Sequence, residues 1–189
     1  MLISVDGIIG AGKSTVLTSL KARGYSVFLE PFEKNPVLPL FYRDPQRFAA
    51  ITQTVFFPLR VDLQMSIPCR GVHFIERSAY SDRYCFGEML KSEMISEEWD
   101  GYCLFFDLLA AKFNLLPDIT IILDIDPEIC LQRIIERGRE MEKGITIAYL
   151  QRLRRTYYEN ISKLGKKVFV LKDDIEENIA QLADEMVYV

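Results

Sequence analysis

The sequence predicts an α/β fold in which a five-stranded parallel sheet is flanked by helices. Five short segments are rich in Val, Ile, Leu and Phe, as strands buried on both faces are; they span residues 2–5, 27–30, 72–76, 119–124 and 167–171. Longer segments with helical periodicity alternate with them; they span residues 13–23, about 45–67, 82–90, 97–116, 127–139, 147–164 and 175–186. Alternating strands and helices form a covered parallel sheet, and such sheets bind ligands at the carboxyl ends of their strands.

The composition predicts one globular domain over residues 1–189. Hydrophobic residues make up 49% of the chain and charged residues 26%, which excludes a disordered tail, a collagen-like fibre and a disulfide scaffold. No apolar run approaches the ~20 residues that cross a bilayer, and the first residues predict a strand rather than a signal peptide. The net charge of −4 disfavours binding to nucleic acid phosphates. We therefore expect neither nucleic acid nor a membrane as a partner.

The cysteine and histidine content narrows the possible chemistry. Cys69, Cys85, Cys103 and Cys130 are scattered without a CxxC pair, which predicts reduced, buried thiols in a cytoplasmic protein. With a single histidine, His73, the usual Cys and His spacings of a zinc site are missing. The base of any proton transfer is then expected to be a carboxylate, a lysine or a tyrosine.

Residues 7–14, GIIGAGKS, match the phosphate-loop pattern GxxxxGK[ST]. The segment follows a predicted strand and opens a predicted helix, which is the context that the motif requires. Its glycines let backbone N–H groups surround phosphate oxygens, while Lys13 can reach the β and γ phosphates and Ser14 can bind Mg²⁺. We predict an ATP or GTP site that also uses the loop residues Gly7, Gly10, Ala11, Gly12 and Thr15. The alternative is a glycine-rich turn without a ligand.

Acidic residues end the second and third predicted strands. Pro31 holds Glu30 in an extended conformation, where its carboxylate can accept a proton from a hydroxyl that attacks the γ-phosphate. Glu76 is placed to hold Mg²⁺ directly or through water, and Arg77 to bridge the transferring phosphoryl group. The alternatives are a surface acid at position 30 and a structural ion pair at positions 76 and 77.

Polar residues on two neighbouring helices predict a pocket for a flat heterocycle. Gln53 and Arg60 are seven residues apart and share a helical face about 10 Å apart along the axis. Asp82 and Phe86, four apart on the next helix, also share a face. Amides and charges suit the edge of a base and a phenyl ring suits its plane; the alternative is a surface face with an exposed Arg–Asp pair. Pro58 is expected to kink the first helix.

Arg133, Arg137 and Arg139 close the helix predicted over residues 127–139 and lead into residues 140–144. Arg133 and Arg137 share a helical face, and Gly138 is expected to break the helix and free a mobile loop. Residues 133–155 contain seven basic and three acidic side chains, a local charge of +4 in a chain of net charge −4. A hinged loop of this kind can place cations on a transferring phosphoryl group and exclude water. The alternative is a solvated helix end whose arginines interact with the helix dipole.

Together these segments resemble the deoxyribonucleoside kinases of the P-loop kinase superfamily, which include deoxycytidine, deoxyguanosine and deoxyadenosine kinases and the insect multisubstrate enzyme. The resembling segments are residues 7–15, 30–31, 42–45, 53, 76–84, 133–145 and 149–150, which extend over most of the chain. The run ERSAYSDRY at 76–84 and the RGR at 137–139 are more specific than the phosphate loop. The resemblance implies the P-loop kinase fold, with an arginine lid at about residues 133–145.

The resemblance implies a Mg²⁺-dependent transfer of the γ-phosphate of ATP to the 5′-hydroxyl of a deoxynucleoside. Glu30 would be the base, Arg77 would lie near the 5′-oxygen, and Lys13, Ser14 and Glu76 would hold the phosphates and the metal. Arg133, Arg137 and Arg139 in the lid would contact ATP, and Asp174 would lie near its adenine. Tyr42 and Glu142 would bind the sugar 3′-hydroxyl. Gln53 would pair with the edge of the base, and Phe86 would stack on it. A homodimer through helices is also implied.

Arg60 and Asp82 bear on the choice of base. They match a charged pair of the cytosine- and purine-preferring members, whereas thymidine-preferring members have small or apolar residues there. A carboxylate held by Arg60 can accept a hydrogen bond from an exocyclic amine, but it faces only the O4 acceptor of thymine. Asn35 stands where many animal members have Trp, and Thr52 replaces an aromatic residue beside Gln53. Both changes enlarge the pocket or alter its stacking and favour a purine or broad specificity.

Three alternatives to this function remain at the level of the sequence. The first is a broad-specificity deoxynucleoside kinase that accepts thymidine. The second is a nucleoside monophosphate kinase such as thymidylate kinase, which has a similar phosphate loop but should need a further cation for the acceptor phosphate. The third is a P-loop regulatory protein that binds nucleotide without small-molecule phosphorylation; Glu30 and the arginine lid disfavour it, as does the lack of a guanine-reading Asn-Lys-x-Asp motif.

Overall fold

A computed structural model describes residues 1–172 and 177–179 of the chain. Five parallel strands form one sheet in the order β2-β3-β1-β4-β5. The strands are β1 Leu2–Gly7, β2 Ser26–Phe28, β3 His73–Glu76, β4 Ile119–Leu123 and β5 Lys167–Leu171. The prediction of a five-stranded parallel sheet flanked by helices is confirmed.

The central strands are buried on both faces. Ile3 and Val5 are buried on β1, and so are the alternating polar residues Ser4 and Asp6. Every residue of β3 and β4 is buried, whereas the edge strands β2 and β5 are only partly so. Continuous apolar runs are typical of strands covered by helices on both sides, which explains why these strands were recognisable in the sequence.

Eight α-helices lie within the part of the chain that the structure describes. They are α1 Lys13–Ala22, α2 Leu38–Phe41, α3 Pro45–Met65, α4 Ala79–Ser81, α5 Glu88–Leu90, α6 Ser96–Lys112, α7 Pro127–Arg137 and α8 Ile147–Glu159. A π-helical segment, Asp82–Gly87, joins α4 to α5, and single 3₁₀ turns cover Phe32–Lys34, Lys91–Glu93, Glu140–Glu142 and Ile161–Lys163. Most of the helix predicted over residues 175–186 lies outside the described residues.

Helix α3 is continuous from Pro45 to Met65 with Pro58 inside it, and Asp44 caps its start. The kink expected at Pro58 stays a prediction. One prediction about the thiols needs correction. Two of the cysteines predicted to be buried are not: Cys69 is exposed and Cys103 is half-buried. All four cysteines are free thiols.

The hydrophobic core has two parts. The larger one joins the sheet to α1, α7 and α8, and the smaller one joins α3 to α6 through Phe57, Tyr102 and Phe106. None of the helices in the described ranges, 1–172 and 177–179, is long and apolar enough to cross a membrane.

The register of the sheet brings three segments to one edge. Val5 of β1 lies opposite Glu76 of β3 and Ile121 of β4, and Gly7 lies opposite Leu123. The loop after β1 therefore starts between the last residues of β3 and β4. Since all five strands are parallel, the segments that follow β2 and β3 emerge at the same edge, where we expect the ligand site.

Candidate active site

A cavity of about 500 Å³ opens at the carboxyl edge of the sheet. The loop after β1, the ends of β2 and β3, helix α3, the π-helical segment and the lid all contribute to its wall. Most of the side chains predicted from the sequence to form the site line it: Lys13, Ser14, Glu30, Tyr42, Gln53, Glu76, Arg77, Asp82, Phe86, Arg133, Arg137, Arg139 and Glu142. The structure thus brings together residues that are more than 100 positions apart in the chain.

The loop after β1 has the backbone that phosphate binding requires. Gly7, Gly10 and Gly12 all have positive φ angles, which glycine adopts without strain. A Cβ atom at Gly7 would come within 2.7 Å of the Leu123 carbonyl oxygen, and one at Gly10 would collide with the Cys130 carbonyl. The loop is therefore packed closely against β4 and α7, and these glycines cannot be replaced without moving its backbone.

Lys13 occupies the space beneath this loop. Its Nζ donates to the carbonyl oxygens of Gly7 and Ile8, at 3.2 and 2.9 Å. Burial and the charge of Arg77 lower the pKa of Lys13 to about 8. A buried ammonium group bonded only to carbonyls is suited to an anionic ligand, because a phosphate would supply the missing negative charge.

Ser14 and Glu76 form a pair of oxygen ligands beside the loop. The Ser14 hydroxyl donates to the Glu76 carboxylate, with Oγ 3.1 and 3.3 Å from its two oxygens. A hydroxyl and a carboxylate fit Mg²⁺, which commonly uses one or two protein oxygens together with water and substrate phosphates. Among the described residues there is no group of three or more His, Cys, Asp or Glu side chains that could hold a metal. The two oxygens of this pair could hold such an ion together with water and phosphate oxygens.

Glu30 lies two residues beyond the end of β2, held between two arginines. Arg60 Nη2 donates to Oε1 at 2.6 Å, and Arg77 Nη1 donates to Oε2 at 2.5 Å. Burial alone would raise the pKa of Glu30, but the charges of Arg77 and Arg60 outweigh it and lower the pKa to about 2. Glu30 is thus a fixed, ionised hydrogen-bond acceptor in the cavity wall. The surface-acid alternative does not describe it.

Arg77 has an unusual backbone conformation. Its φ angle is 61°, in a region that non-glycine residues rarely adopt, and its N–H donates to the Val5 carbonyl. The side chain lies over the Phe86 ring at 4.8 Å, and Nη2 donates to the Gly7 carbonyl at 3.3 Å. This conformation turns the guanidinium back towards the phosphate loop and Glu30. Strained residues of this kind are concentrated at functional sites.

Arg60 does not line the cavity but lies behind it. Its guanidinium binds the Asp82 carboxylate through Nε at 3.0 Å, the Glu76 carbonyl through Nη1 at 2.8 Å, and Glu30. Only 1% of Arg60 is exposed. Its predicted contact with the acceptor is therefore indirect, because it orients Glu30 and Asp82, which do line the cavity. Burial raises the pKa of Asp82 despite the charge of Arg60.

The cavity wall on α3 has unsatisfied polar atoms. Gln53 Oε1 and Thr52 Oγ1 are buried, line the cavity and have no hydrogen-bond partner. Buried polar atoms are nearly always paired, so these two are suited to partners on a ligand. Asn35 supports the wall from behind: its Nδ2 donates to the Thr52 carbonyl, and its Oδ1 accepts from the Val37 N–H.

The lid closes the cavity on the side of the phosphate loop. Arg133 Nη1 donates to the Gly10 carbonyl at 3.4 Å. Arg137 and Arg139 donate to the two oxygens of the buried Glu142, at 2.6 and 3.2 Å, and Arg139 also lies over the Phe32 ring at 4.4 Å. Two of the three arginines predicted to contact ATP therefore hold Glu142 here. Asp174, the remaining predicted ATP contact, lies outside the described residues.

The comparison with protein families decides between the readings of this site. The family model for deoxynucleoside kinase matches residues 3–187. The chain belongs to the deoxynucleoside kinase family. It is accordingly a kinase of that family, as the resemblance of the motifs implies, and the regulatory-protein alternative is not supported.

Curated relatives within the deoxynucleoside kinase family agree. The chain is 36% identical to a deoxyguanosine kinase of Dictyostelium discoideum, over 88% of the chain and 60% of the relative. It is 32% identical to a deoxyadenosine/deoxycytidine kinase of Bacillus subtilis, over 100% and 92%, and 32% identical to human deoxycytidine kinase, over 98% and 87%. The chain thus spans less than two thirds of the Dictyostelium protein but most of the other two.

A solved structure has the same fold. Deoxyadenosine kinase from M. mycoides with bound dCTP superposes with a TM-score of 0.81 over 100% of both chains, at 23% identity. At this identity the likeness establishes the architecture of the deoxynucleoside kinase but not its substrate.

Several residues of this kinase's cavity were not assigned a role from the sequence. Phe32, Leu38, Phe41 and Phe56 supply apolar wall, and Tyr149 lies beside Tyr42. Phe32 and Phe41 come from short helical segments without a clear periodicity, so only their size could have indicated them. Phe56 lies on the long helix α3, between Gln53 and Arg60. Tyr149 follows the lid in a segment that resembles the family, which is the signal that could have identified it.

Proposed function

We propose that this deoxynucleoside kinase transfers the γ-phosphate of ATP to the 5′-hydroxyl of deoxyadenosine, deoxyguanosine or deoxycytidine in preference to thymidine. The observation that carries the reaction is the position of Glu30. Its carboxylate lines the cavity that the phosphate loop also lines, and it is held between Arg60 and Arg77. A carboxylate and a guanidinium side by side can bind an acceptor hydroxyl and a phosphoryl group at adjacent points.

In the proposed reaction Glu30 orients the 5′-hydroxyl more than it activates it. A carboxylate whose pKa is about 2 is a weak base, and phosphoryl transfer through a loose transition state needs little activation of the nucleophile. Glu30 accepts the hydrogen bond of the 5′-hydroxyl and takes its proton once the bond to phosphorus is largely formed. Arg77 then stabilises the charge on the phosphoryl oxygens.

The triphosphate is bound by the loop, Lys13 and the lid. Lys13 leaves the carbonyls of Gly7 and Ile8 for the β and γ phosphates, and the lid arginines contact the phosphates from the other side. Ser14 and Glu76 would hold Mg²⁺, which would neutralise charge on the phosphates. Both proposals rest on the oxygen pair and the buried ammonium group described above.

Tyr42 and Glu142 bind the 3′-hydroxyl of the sugar in this proposal. Both line the cavity, and their mutual influence is seen in the pKa of Tyr42, which burial, Tyr149 and Glu142 raise well above its usual range. The phenol therefore stays protonated and can donate, while the Glu142 carboxylate can accept. A ribose 3′-hydroxyl can satisfy both at once.

The base preference is proposed from the polar wall. Gln53 Oε1 is an acceptor without a donor, and the Asp82 carboxylate is fixed by Arg60 as a second acceptor. Cytosine, adenine and guanine each carry an exocyclic amine, which in guanine is the 2-amine, whereas thymine carries none and presents O4, a further acceptor. Thr52 in place of a larger side chain leaves room for a purine. An unmatched buried acceptor can cost ~10⁴-fold or more in specificity.

A homodimer through helices is also proposed. Leu104 and Leu108 are four residues apart on α6 and each more than half exposed, which is the pattern of a helix face that another helix covers. Sedimentation of the wild type and of Leu104→Glu tests this proposal. A dimeric wild type and a monomeric variant would support it, and a monomeric wild type would contradict it.

The reaction is tested by ADP release from ATP and Mg²⁺, with each deoxynucleoside and with thymidine monophosphate offered separately. We expect turnover with the purine deoxynucleosides and deoxycytidine, little with thymidine, and loss of turnover when EDTA removes the metal. Glu30→Gln should reduce kcat by ~10²–10⁴-fold. The control is Glu33→Gln, an exposed acid three residues away, which should keep full activity.

The outcomes separate the parts of the proposal. Strong turnover with thymidine would contradict the base preference and favour the broad-specificity alternative. Turnover with thymidine monophosphate alone would contradict the acceptor and favour the monophosphate-kinase alternative. Full activity of Glu30→Gln would contradict the role of Glu30.

A further inference from the structure

One glutamine side chain joins three segments of the chain behind the active site. Gln64, near the end of α3, is 8% exposed and lies behind the cavity wall rather than on it. Its Oε1 accepts from the Ala79 N–H at 2.8 Å, and its Nε2 donates to the Leu115 carbonyl at 2.9 Å. Because one partner is a donor and the other an acceptor, the amide has a single orientation that satisfies both. It connects α3 to the turn after β3 and to the segment between α6 and β4.

The bond to Ala79 lies at the start of a short helix. Ala79 is the first residue of α4, and the first N–H groups of a helix have no partner within it. Ser78 caps this helix by accepting from the Ser81 N–H at 3.3 Å, whereas the N–H of Ala79 is bound by Gln64. A side chain of α3 therefore fixes the point at which α4 begins.

Two residues of α3 hold the backbone on both sides of Arg77. Arg60 and Gln64 are four positions apart and share a helical face. Arg60 Nη1 donates to the Glu76 carbonyl at 2.8 Å, one residue before Arg77, and Gln64 binds the N–H two residues after it. The N–H of Arg77 itself donates to the Val5 carbonyl at 3.1 Å. Two bonds from α3 and one from β1 thus fix the path of the chain through Arg77.

The backbone at Arg77 needs this support. Its φ angle of 61° lies in the left-handed region, where a non-glycine residue is strained and persists only when its surroundings fix it. This backbone conformation brings Nη1 to Glu30 and Nη2 to the Gly7 carbonyl. A relaxed backbone would turn the guanidinium away from both groups.

We propose that Gln64 is a positioning residue for the phosphoryl transfer. Oriented by the Leu115 carbonyl, its amide binds the N–H of Ala79 and keeps the turn after β3 in the conformation that directs Arg77 into the cavity. This inference rests on the roles proposed above for Glu30 and Arg77. The bonds of Gln64 lie behind the cavity wall, so they persist while substrates replace the contacts that Arg77 makes inside the cavity.

Thr120 offers a matched control for the loss of a buried hydrogen bond. It is 0% exposed on β4, and its Oγ1 donates to the Leu164 carbonyl at 2.6 Å. This bond joins β4 to the segment before β5, away from the cavity wall. Gln64→Met and Thr120→Val each remove a buried side-chain donor from a carbonyl, but only the first change also frees the turn that carries Arg77.

The test is the kcat of both variants with saturating ATP and the best deoxynucleoside, at a temperature where circular dichroism shows them folded. A misplacement of about 1 Å can cost ~10²-fold in rate. We expect Gln64→Met to lower kcat by ~10–10²-fold with KM for ATP within about twofold, and Thr120→Val to keep kcat within about twofold. In the Arg77→Lys background Gln64→Met should cost less than about threefold, because the group that it positions is gone.

Gln64→Glu supplies a rescue experiment. A protonated glutamic acid can accept from the Ala79 N–H and donate to the Leu115 carbonyl, as the amide does, whereas the carboxylate cannot donate. Burial beside a carbonyl oxygen raises the pKa of such an acid, in documented cases to about 8–9. The kcat of Gln64→Glu, relative to the wild type at the same pH, should therefore be low at about pH 9.5 and rise to within about threefold at about pH 6. Gln64→Met should show no such rise.

The outcomes that would overturn the proposal are distinct. They are an unchanged kcat in Gln64→Met, an equal loss in Thr120→Val, and an equal loss from Gln64→Met with and without Arg77→Lys. If Gln64→Met does not fold, a kcat of Gln64→Glu that does not change with pH relative to the wild type would overturn it. Arg77→Lys measured alone tests the role of Arg77 itself, so a failure of the proposed function is distinguishable from a failure of this inference.

Discussion

At the scale of the residue, the ionisation of Glu30 determines how the kinase responds to acid. Arg77 and Arg60 lower its pKa from 4.5 to about 2, so the carboxylate stays charged far below neutral pH. We therefore expect kcat/KM for the deoxynucleoside to show no acid limb from Glu30 between pH 8 and about pH 5. An initial-rate pH profile checks this, and a limb with a midpoint near 6 that Glu30→Gln removes would contradict it.

The titration of Lys13 predicts a loss of activity on the alkaline side of the pH profile. Its pKa in the free enzyme is about 8, so its charge is lost as the pH rises through that value. Since kcat/KM reports the free enzyme, kcat/KM for ATP should fall as the pH rises above about 8. A bound triphosphate keeps Lys13 charged, so kcat should fall much less. Lys13→Arg lowers activity but should move the limb beyond pH 10, because a guanidinium does not titrate there.

Arg60 holds two carboxylates of the cavity wall, and its loss should destabilise the chain. It is the sole arginine, among the described residues, that forms salt bridges with both Glu30 and Asp82. Arg60→Met leaves two buried carboxylates without this partner, and breaking a buried pair in this way costs about 3–5 kcal/mol. Urea unfolding should show this loss, and Arg83→Met, at a less buried pair with Glu88, should show a smaller one.

The residues of the site were predictable to different degrees. The phosphate loop and the Glu-Arg pair after β3 have sequence signatures, because their chemistry requires fixed residues at fixed spacing. Arg60 was recognised, but the sequence does not show that it lies behind the cavity, since that depends on where Asp82 and Glu30 meet it.

At the scale of the element, the π-helical segment Asp82–Gly87 sets the direction of the cavity wall. Asp82 and Phe86 both line the cavity from this segment, and π-helical turns often occur at functional sites. Gly87 makes the segment possible, because a Cβ atom there would come within 2.8 Å of the Tyr102 ring and 3.2 Å of the Asp82 carbonyl oxygen.

Gly87→Ala should therefore change both stability and binding. We expect the free energy of unfolding to fall by about 1–3 kcal/mol through overpacking, and KM for the deoxynucleoside to rise about tenfold as Asp82 and Phe86 shift. The control is Gly101→Ala on α6, where a Cβ atom would meet nothing within 4 Å. It should stabilise the helix by up to about 1 kcal/mol and leave KM unchanged. Chemical unfolding and initial rates measure both variants.

Most elements of the fold follow from the sequence. The central strands and the long helices α3, α7 and α8 have the periodicity of buried strands and amphipathic helices, and their positions agree with the prediction to within a few residues. The π-helical segment could not be predicted from the sequence, because a single wider turn leaves no periodic signal. Strand β2 was predicted to reach Glu30 but ends at Phe28; Pro31 lacks a backbone donor, and the chain turns away before it.

At the scale of the whole molecule, one edge of the sheet holds the residues that we propose bind both substrates. Ligands that bind the native state alone stabilise it by an amount that grows with the logarithm of their concentration, about 2.7 kcal/mol at a hundredfold excess over Kd. For a chain of 189 residues this corresponds to a rise in Tm of about 5–10 °C. We expect this shift with a non-hydrolysable ATP analogue and Mg²⁺, and thermal unfolding should show none for Lys13→Ala.

With the roles proposed above, the pairing of Glu142 with Arg137 and Arg139 would make the two substrate sites energetically dependent on each other. In the proposed complex the deoxynucleoside binds the Glu142 carboxylate and ATP binds the two arginines. Whichever ligand binds first breaks the ion pairs between them, so the second ligand no longer has to break them. Coupling of this kind is reciprocal: the factor by which the nucleoside strengthens ATP binding equals the factor by which ATP strengthens nucleoside binding. A single carboxylate would thus make the enzyme bind its substrates cooperatively within one subunit.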